Sequence, residues 1–109
     1  MSDLYNQITS QMHVLDDAIK ALARNGEELA KAEKDYKVEL SKEVLRQRAE
    51  GTPVTQISLV VYGVPNVAEL RFKRDSAKSK YEACQEFINI TKLKLRLLES
   101  QMAREWGKT

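Results

Sequence analysis

His13 is the chain's only histidine and Cys84 its only cysteine. A paired-histidine metal site and an intrachain disulfide are therefore both excluded. His13 neighbours Met12 at the edge of an apolar stripe, a position suited to a solvated ring or a partner contact. Cys84 falls on an apolar helical spine, where a thiol packs as a small hydrophobe. Asp16-Asp17 and Glu27-Glu28 are adjacent acids. Neighbours on a helix diverge by about 100°, so neither pair converges on one ion. The sequence has no glycine-rich phosphate loop and no nucleophile elbow. These absences predict a non-enzymatic chain with no catalytic residue, no metal and no cofactor.

The remaining candidates for chemistry are basic. Arg71, Lys73, Arg74, Lys78 and Lys80 crowd the start of one helical stretch, and Arg46 and Arg48 close another. If those two stretches lie side by side, Arg46, Arg48, Arg71, Lys73, Arg74 and Lys78 make a basic region able to contact phosphates. Net charge is only +2, but residues 1–50 carry ten acids against eight bases, whereas residues 66–109 carry ten bases against six acids. That asymmetry fits two helices of opposite charge lying together, and also a basic face for nucleic acid. Residues 54–70 have the rhythm of a helix-turn-helix: Val54 to Ser58, the turn Tyr62-Gly63-Val64-Pro65, then Val67 to Leu70. The glycine falls one position later than in that motif, and no three-helix domain is present to hold it.

Two long periodic stretches must position these residues. The first carries Leu4, Ile8, Met12, Leu15, Ile19, Leu22, Leu29, Ala32, Tyr36, Leu40 and Val44. Within it Ile8, Leu15, Leu22, Leu29 and Tyr36 recur at sevens, a heptad signal. Ser2 or Asp3 can cap its start. Asn25-Gly26 is a turn signal, but the heptad phase is intact across it, so the helix is expected to continue. Gly51 stops it, at about 47 residues or ~70 Å. The second stretch, Asn66 to Trp106, contains no proline and no glycine. Its spine is Val67, Leu70, Ala77, Tyr81, Cys84, Ile88, Leu95, Leu98, Met102 and Trp106, with Arg74 and Thr91 in the intervening slots. Asn66 and Glu69 can form a capping box at its start. It runs about 40 residues, ~60 Å. Trp106 is expected to plug the open end of the pair.

Between them lies Thr52 to Pro65. Thr52 as cap and Pro53 at the first helical position predict a short helix closed by Gly63. The β-branched run Ile57 to Tyr62 favours a strand, but a lone strand has no partner within this chain, so the helix is preferred. The expected fold is all-α: a long antiparallel two-helix hairpin, coiled-coil-like, with a short helical tip. Its parts are a helix over 3–50, a tip over 51–65 and a helix over 66–106, in one domain. Ile57, Leu59, Val60, Val61 and Tyr62 at the tip are expected to bind a protein partner. Phe87, Ile90, Leu93 and Leu97 form a second stripe beside the spine. A wide stripe needs more than one neighbour, which predicts a homodimer in a four-helix arrangement with these four at the interface.

No apolar run approaches the ~18 residues of a membrane helix. The N-terminal residues 1–6 lack the basic-then-apolar pattern of a signal peptide. With the lone cysteine, this predicts an intracellular protein.

Three segments carry a family resemblance: Glu28-Leu29-Ala30-Lys31-Ala32-Glu33-Lys34-Asp35-Tyr36, then Arg48-Ala49-Glu50-Gly51-Thr52-Pro53-Val54-Thr55, and the ending Leu97 to Gly107 with its Arg104-Glu105-Trp106-Gly107. Together the chain resembles a group of small helical proteins encoded by temperate phages and prophages of Gram-positive bacteria, which generally have no assigned function. The resemblance implies a phage accessory role in the host cytoplasm and offers no active site to carry over. The expected function is interaction with a host or phage protein through the helical surface or the apolar tip. The alternative is a nucleic-acid-binding accessory of phage replication, recombination or transcription.

Overall fold

The structure, a computed structural model, describes residues 2–107. It holds three helices and, among the described residues, no strand: α1 Ser2–Ala49, α2 Val54–Val61 and α3 Pro65–Gly107. The fold is the all-α helical hairpin expected, with α1 and α3 as its long pair. Asn25-Gly26 lies inside α1 without a break. Among the described residues no helix is long and apolar enough to cross a membrane.

Burial on α3 follows a strict alternation of three and four residues, and α1 carries the same repeat with further half-buried residues on its flanks. On α1 the covered positions include Leu4, Gln11, Ala18, Asn25, Ala32 and Glu39 in one track and Ile8, Leu15, Leu22, Leu29, Tyr36 and Glu43 in the other, with Val14, Ala21, Leu40 and Val44 among the half-buried residues beside them. On α3 they are Val67, Arg74, Tyr81, Ile88, Leu95 and Met102, interleaved with Leu70, Ala77, Cys84, Thr91, Leu98 and Glu105. The twelve α3 positions form a seam narrow enough for one facing helix, whereas the covered face of α1 is wider. This register corrects the stripe expected for α1. Met12 and Ile19 are 54% and 48% exposed; Gln11 and Ala18 hold the seam instead. It also corrects Trp106, which is 56% exposed rather than a plug. The repeat reaches Glu105, and the next residue turns about 100° off the seam.

Cα packing divides the chain into two compact units. One is Met1–Arg24 with Tyr81–Thr109. Its core is Leu4, Ala18, Ile88, Thr91 and Leu95. The Cys84 Sγ lies 3.5 Å from the Ala18 carbonyl oxygen, a close approach that the small Ala18 side chain permits. The other unit is Asn25–Lys80, with Asn25, Tyr36, Glu43, Ile57, Val61 and Val67 buried. Here Glu28 pairs with Lys80 at 3.2 Å. One turn pair further on, the Arg74 guanidinium stands 4.7 Å over the Tyr36 ring. As α1 advances, α3 recedes, so the two helices are antiparallel.

The segment joining α1 to α2 has a defined stop. Gly51 takes φ +83°. Its amide donates to the Arg48 carbonyl at 3.1 Å, and the Thr52 amide reaches back to Gln47 at 3.0 Å. This pair of bonds is a Schellman motif, which satisfies carbonyls left over at the helix end. Thr52 does not cap α2: no side-chain cap bond forms there. Its hydroxyl donates instead to Gln47 Oε1 at 2.7 Å. The short helix over Ile57 to Val61 is nevertheless present, and the β-branched preference loses to packing. Ile57 and Val61, four apart, share the buried face. Pro65 opens α3 rather than preceding it. The Val64 carbonyl accepts the Ala68 amide at 2.9 Å, so Asn66 is already helical and the expected capping box is not the start. Proline suits the first helical position because no amide is needed there. Asp3 lies in the first turn of α1, where a carboxylate faces the positive end of the helix dipole. The alternative cap, the Ser2 side chain, lies outside what is described.

Nothing lies within 4 Å of a Cβ built at Gly51, so only the backbone opposes a side chain there. Gly51→Ala should cost about 1 kcal/mol and Gly51→Asn less, measurable by chemical denaturation.

Candidate interaction surfaces

The residues first considered for chemistry stay apart. His13, Asp16, Asp17, Glu27 and Glu28 are exposed along α1, and Cys84 is half-buried. No group of three or more metal-ligating side chains gathers among the described residues.

The tip helix divides the five expected partner residues. Ile57 and Val61 are buried, Val61 to 2% exposure. They hold α2 in place and cannot meet a partner without opening the unit. Leu59, Val60 and Tyr62 are exposed, Leu59 to 78%. With Val54, also exposed, they present an apolar surface on a helix of only eight residues.

The basic residues are partly engaged. Arg46 lies 3.1 Å from the Glu43 carboxylate. The Arg74 Nε donates to Asp75 at 2.8 Å, Lys80 is paired with Glu28, and Arg71 stands 5.1 Å over the Tyr62 ring. Arg48, Lys73 and Lys78 are exposed. At 100° per residue, Arg71, Arg74 and Lys78 share an arc of about 60° on α3, while Lys73 and Lys80 point to another side. The six expected phosphate contacts do not form one face.

The second stripe of α3 is uncovered. Phe87, Ile90, Leu93 and Leu97 are each about half exposed or more. They fill an arc of about 120° that begins beside Leu98 and turns away from the seam. On α1 of the same unit, Tyr5, Met12 and Ile19 recur at sevens and are exposed too.

Three polar residues are buried, Asn25, Glu43 and Thr91; the spacing placed only Thr91 on a spine. Thr91 donates to the Phe87 carbonyl at 2.9 Å. Glu43 is the most telling. It is 2% exposed and continues the heptad track of Ile8, Leu15, Leu22, Leu29 and Tyr36. The signal was legible as one more step of seven. Gln47 Nε2 donates to its Oε1 at 2.9 Å. Its Oε2 lies near Arg46, yet the geometry aligns no donor with that oxygen. Arg46 thus supplies charge at 3.1 Å without a hydrogen bond to that oxygen.

Comparison with protein-family models, with curated proteins and with solved structures found no match.

A buried carboxylate with one unaligned oxygen costs more than an apolar group of similar size at that place. Glu43→Leu should raise stability by about 1 kcal/mol, and Glu43→Ala should lower it by leaving a void. Thermal unfolding of the two variants beside the parent chain checks the opposite signs.

Proposed function

We propose that this is a non-enzymatic interaction protein: a helical hairpin that self-associates through Phe87, Ile90, Leu93 and Leu97 into a four-helix arrangement, and that offers Leu59, Val60 and Tyr62 to a second protein. One observation carries the reading. Fifteen large hydrophobic side chains are exposed among the described residues, in a chain that is 31% charged. Scattered apolar side chains are ordinary on any surface, but contiguous stripes mark contact sites. A phage accessory role in the host cytoplasm, as the sequence resemblance implies, completes the proposal.

Magnitudes set the character of the self-association. Burying the exposed half of one such side chain is worth about 1 kcal/mol. Eight of them across two copies contribute on the order of 8 kcal/mol, against an association cost of roughly 4–15 kcal/mol. The face alone therefore supports a modest, concentration-dependent dimer.

The nucleic-acid reading keeps one support, the arc of Arg71, Arg74 and Lys78. It ranks second because Arg74 already pairs with Asp75 and Arg71 with the Tyr62 ring.

Sedimentation should show a species approaching twice the 12.5 kDa chain mass as concentration rises. Ile90→Asp with Leu97→Asp should hold the protein monomeric without loss of helicity. A parent chain that stays at 12.5 kDa at high concentration overturns self-association. Affinity capture from induced host cells tests the tip. Leu59→Asp with Val60→Asp should lose a protein that the parent retains after nuclease treatment; retention that disappears on nuclease treatment favours nucleic acid instead.

A further inference from the structure

We infer that the copies pair antiparallel, α3 against α3, about a two-fold axis passing near residue 92; this rests on the self-association proposed above and specifies its geometry. The occupant of the Phe87–Leu97 face is then the same face of a second copy, reversed.

Charge supplies the direction. At the start of the apolar arc stand Glu82 and Glu86; toward its end stand Lys94 and Arg104, all exposed. Helix geometry puts these four on the same side as the stripe or at its border. Antiparallel pairing sets Glu82 near Arg104 of the second copy and Glu86 within about a turn of its Lys94. Parallel pairing sets acid against acid and base against base along the whole contact. Like charges facing each other select against that arrangement.

Shape agrees with the same axis. Phe87 of one copy meets Leu97 of the other, and Ile90 and Leu93 of both copies meet at the centre. Beside Leu97 lies an open groove of about 680 Å3, walled by Gln7 and Ser10 of α1 and by Lys94 and Gln101 of α3. Beside Phe87 lies a second hollow of about 480 Å3, bounded by Val14, Ala21 and Cys84. The antiparallel copy brings the Phe87 ring to the first and Leu97 to the second. The two-fold repeats both contacts, as an isologous interface requires.

Site-directed crosslinking tests the direction. In a Cys84→Ala background, Ala83→Cys and Gln101→Cys place single thiols at exposed positions on the stripe side of α3. In the antiparallel dimer Ala83 lies across from Gln101, while the two copies of Ala83 are separated by about 27 Å along the helices. A short bifunctional thiol reagent should therefore join the two variants when mixed and leave each alone uncrosslinked. Strong self-crosslinking of each variant alone overturns the antiparallel inference and leaves self-association standing. Equal crosslinking of every combination also overturns it. Sedimentation of the same samples identifies the remaining case, in which no dimer forms and both proposals fall. A second readout needs no new thiol. Glu82→Lys with Glu86→Lys should weaken the dimer several-fold at low salt, and the loss should shrink as salt rises; an unchanged or tighter dimer contradicts the antiparallel charge match.

Discussion

Two helices share one seam, and that single constraint governs the rest of the molecule. A facing helix covers only the side turned toward it, so each helix can bury about two residues in seven. In this chain those positions are the covered ones from Val67 to Glu105 on α3, and on α1 they run from Leu4 to Glu43 with half-buried residues such as Val14, Ala21, Leu40 and Val44 beside them. Any apolar side chain elsewhere must stay in water or find another surface. The exposed stripes are consequences of that geometry, because 109 residues arranged as a hairpin offer less interior than a globular domain of equal length.

The seam is not uniformly apolar. One track of α1 reads Leu4, Gln11, Ala18, Asn25, Ala32, Glu39, which is small or polar after its first member. Small side chains let the backbones approach, and the Cys84 thiol reaches the Ala18 carbonyl as a result. Polar members weaken the seam but penalise other registers, since a shift by one heptad would set Asn25 or Glu43 against the wrong neighbours. Glu43 is also tied to the end of its helix. Gln47 donates to it and in turn accepts from Thr52, just beyond the left-handed Gly51. The buried carboxylate and the helix stop are thus one connected arrangement. The same Thr52 hydroxyl cannot also cap α2, which is why that helix begins without a side-chain cap.

Much of this was readable from residue types. The two long helices, the unbroken passage through Asn25-Gly26, the short α2 and the uncovered Phe87, Ile90, Leu93 and Leu97 all follow from spacing and punctuation. The misreadings share one cause. A stripe drawn through the largest apolar residues selects Met12, Ile19 and Trp106, whereas a seam is set by phase. Gln11, Ala18 and Glu105 are in phase, and hydrophobicity does not reveal them. The tip shows the limit from the other side. Ile57, Leu59, Val60, Val61 and Tyr62 look alike as a run; only packing against the long helices decides that Ile57 and Val61 turn inward. Asn66 matches a capping box in sequence, but Pro65 can occupy the first helical position, and the helix takes the earlier start.

Electrostatics and apolar burial then separate the candidate surfaces. Basic side chains act at a distance only when neighbouring acids do not cancel them. Asp75, Glu28 and Glu43 lie against Arg74, Lys80 and Arg46, so three of the bases that the sequence offers for a basic region are locally paired. The pairs at Lys80–Glu28 and Arg74–Asp75, which lie toward solvent, add little to stability, but they lower the charge available to a polyanion. The apolar stripe has no comparable neutralising neighbour within its arc. Its flanking charges are segregated instead, acids at one end and bases at the other, which is self-complementary only on reversal. A surface whose charges cancel internally is indifferent to direction; one whose charges separate along its length specifies how its partner must lie. That distinction is why the proposed partner of the Phe87–Leu97 face is a second copy of itself, while the partner proposed for the uncharged α2 surface would be recognised by shape and apolar contact.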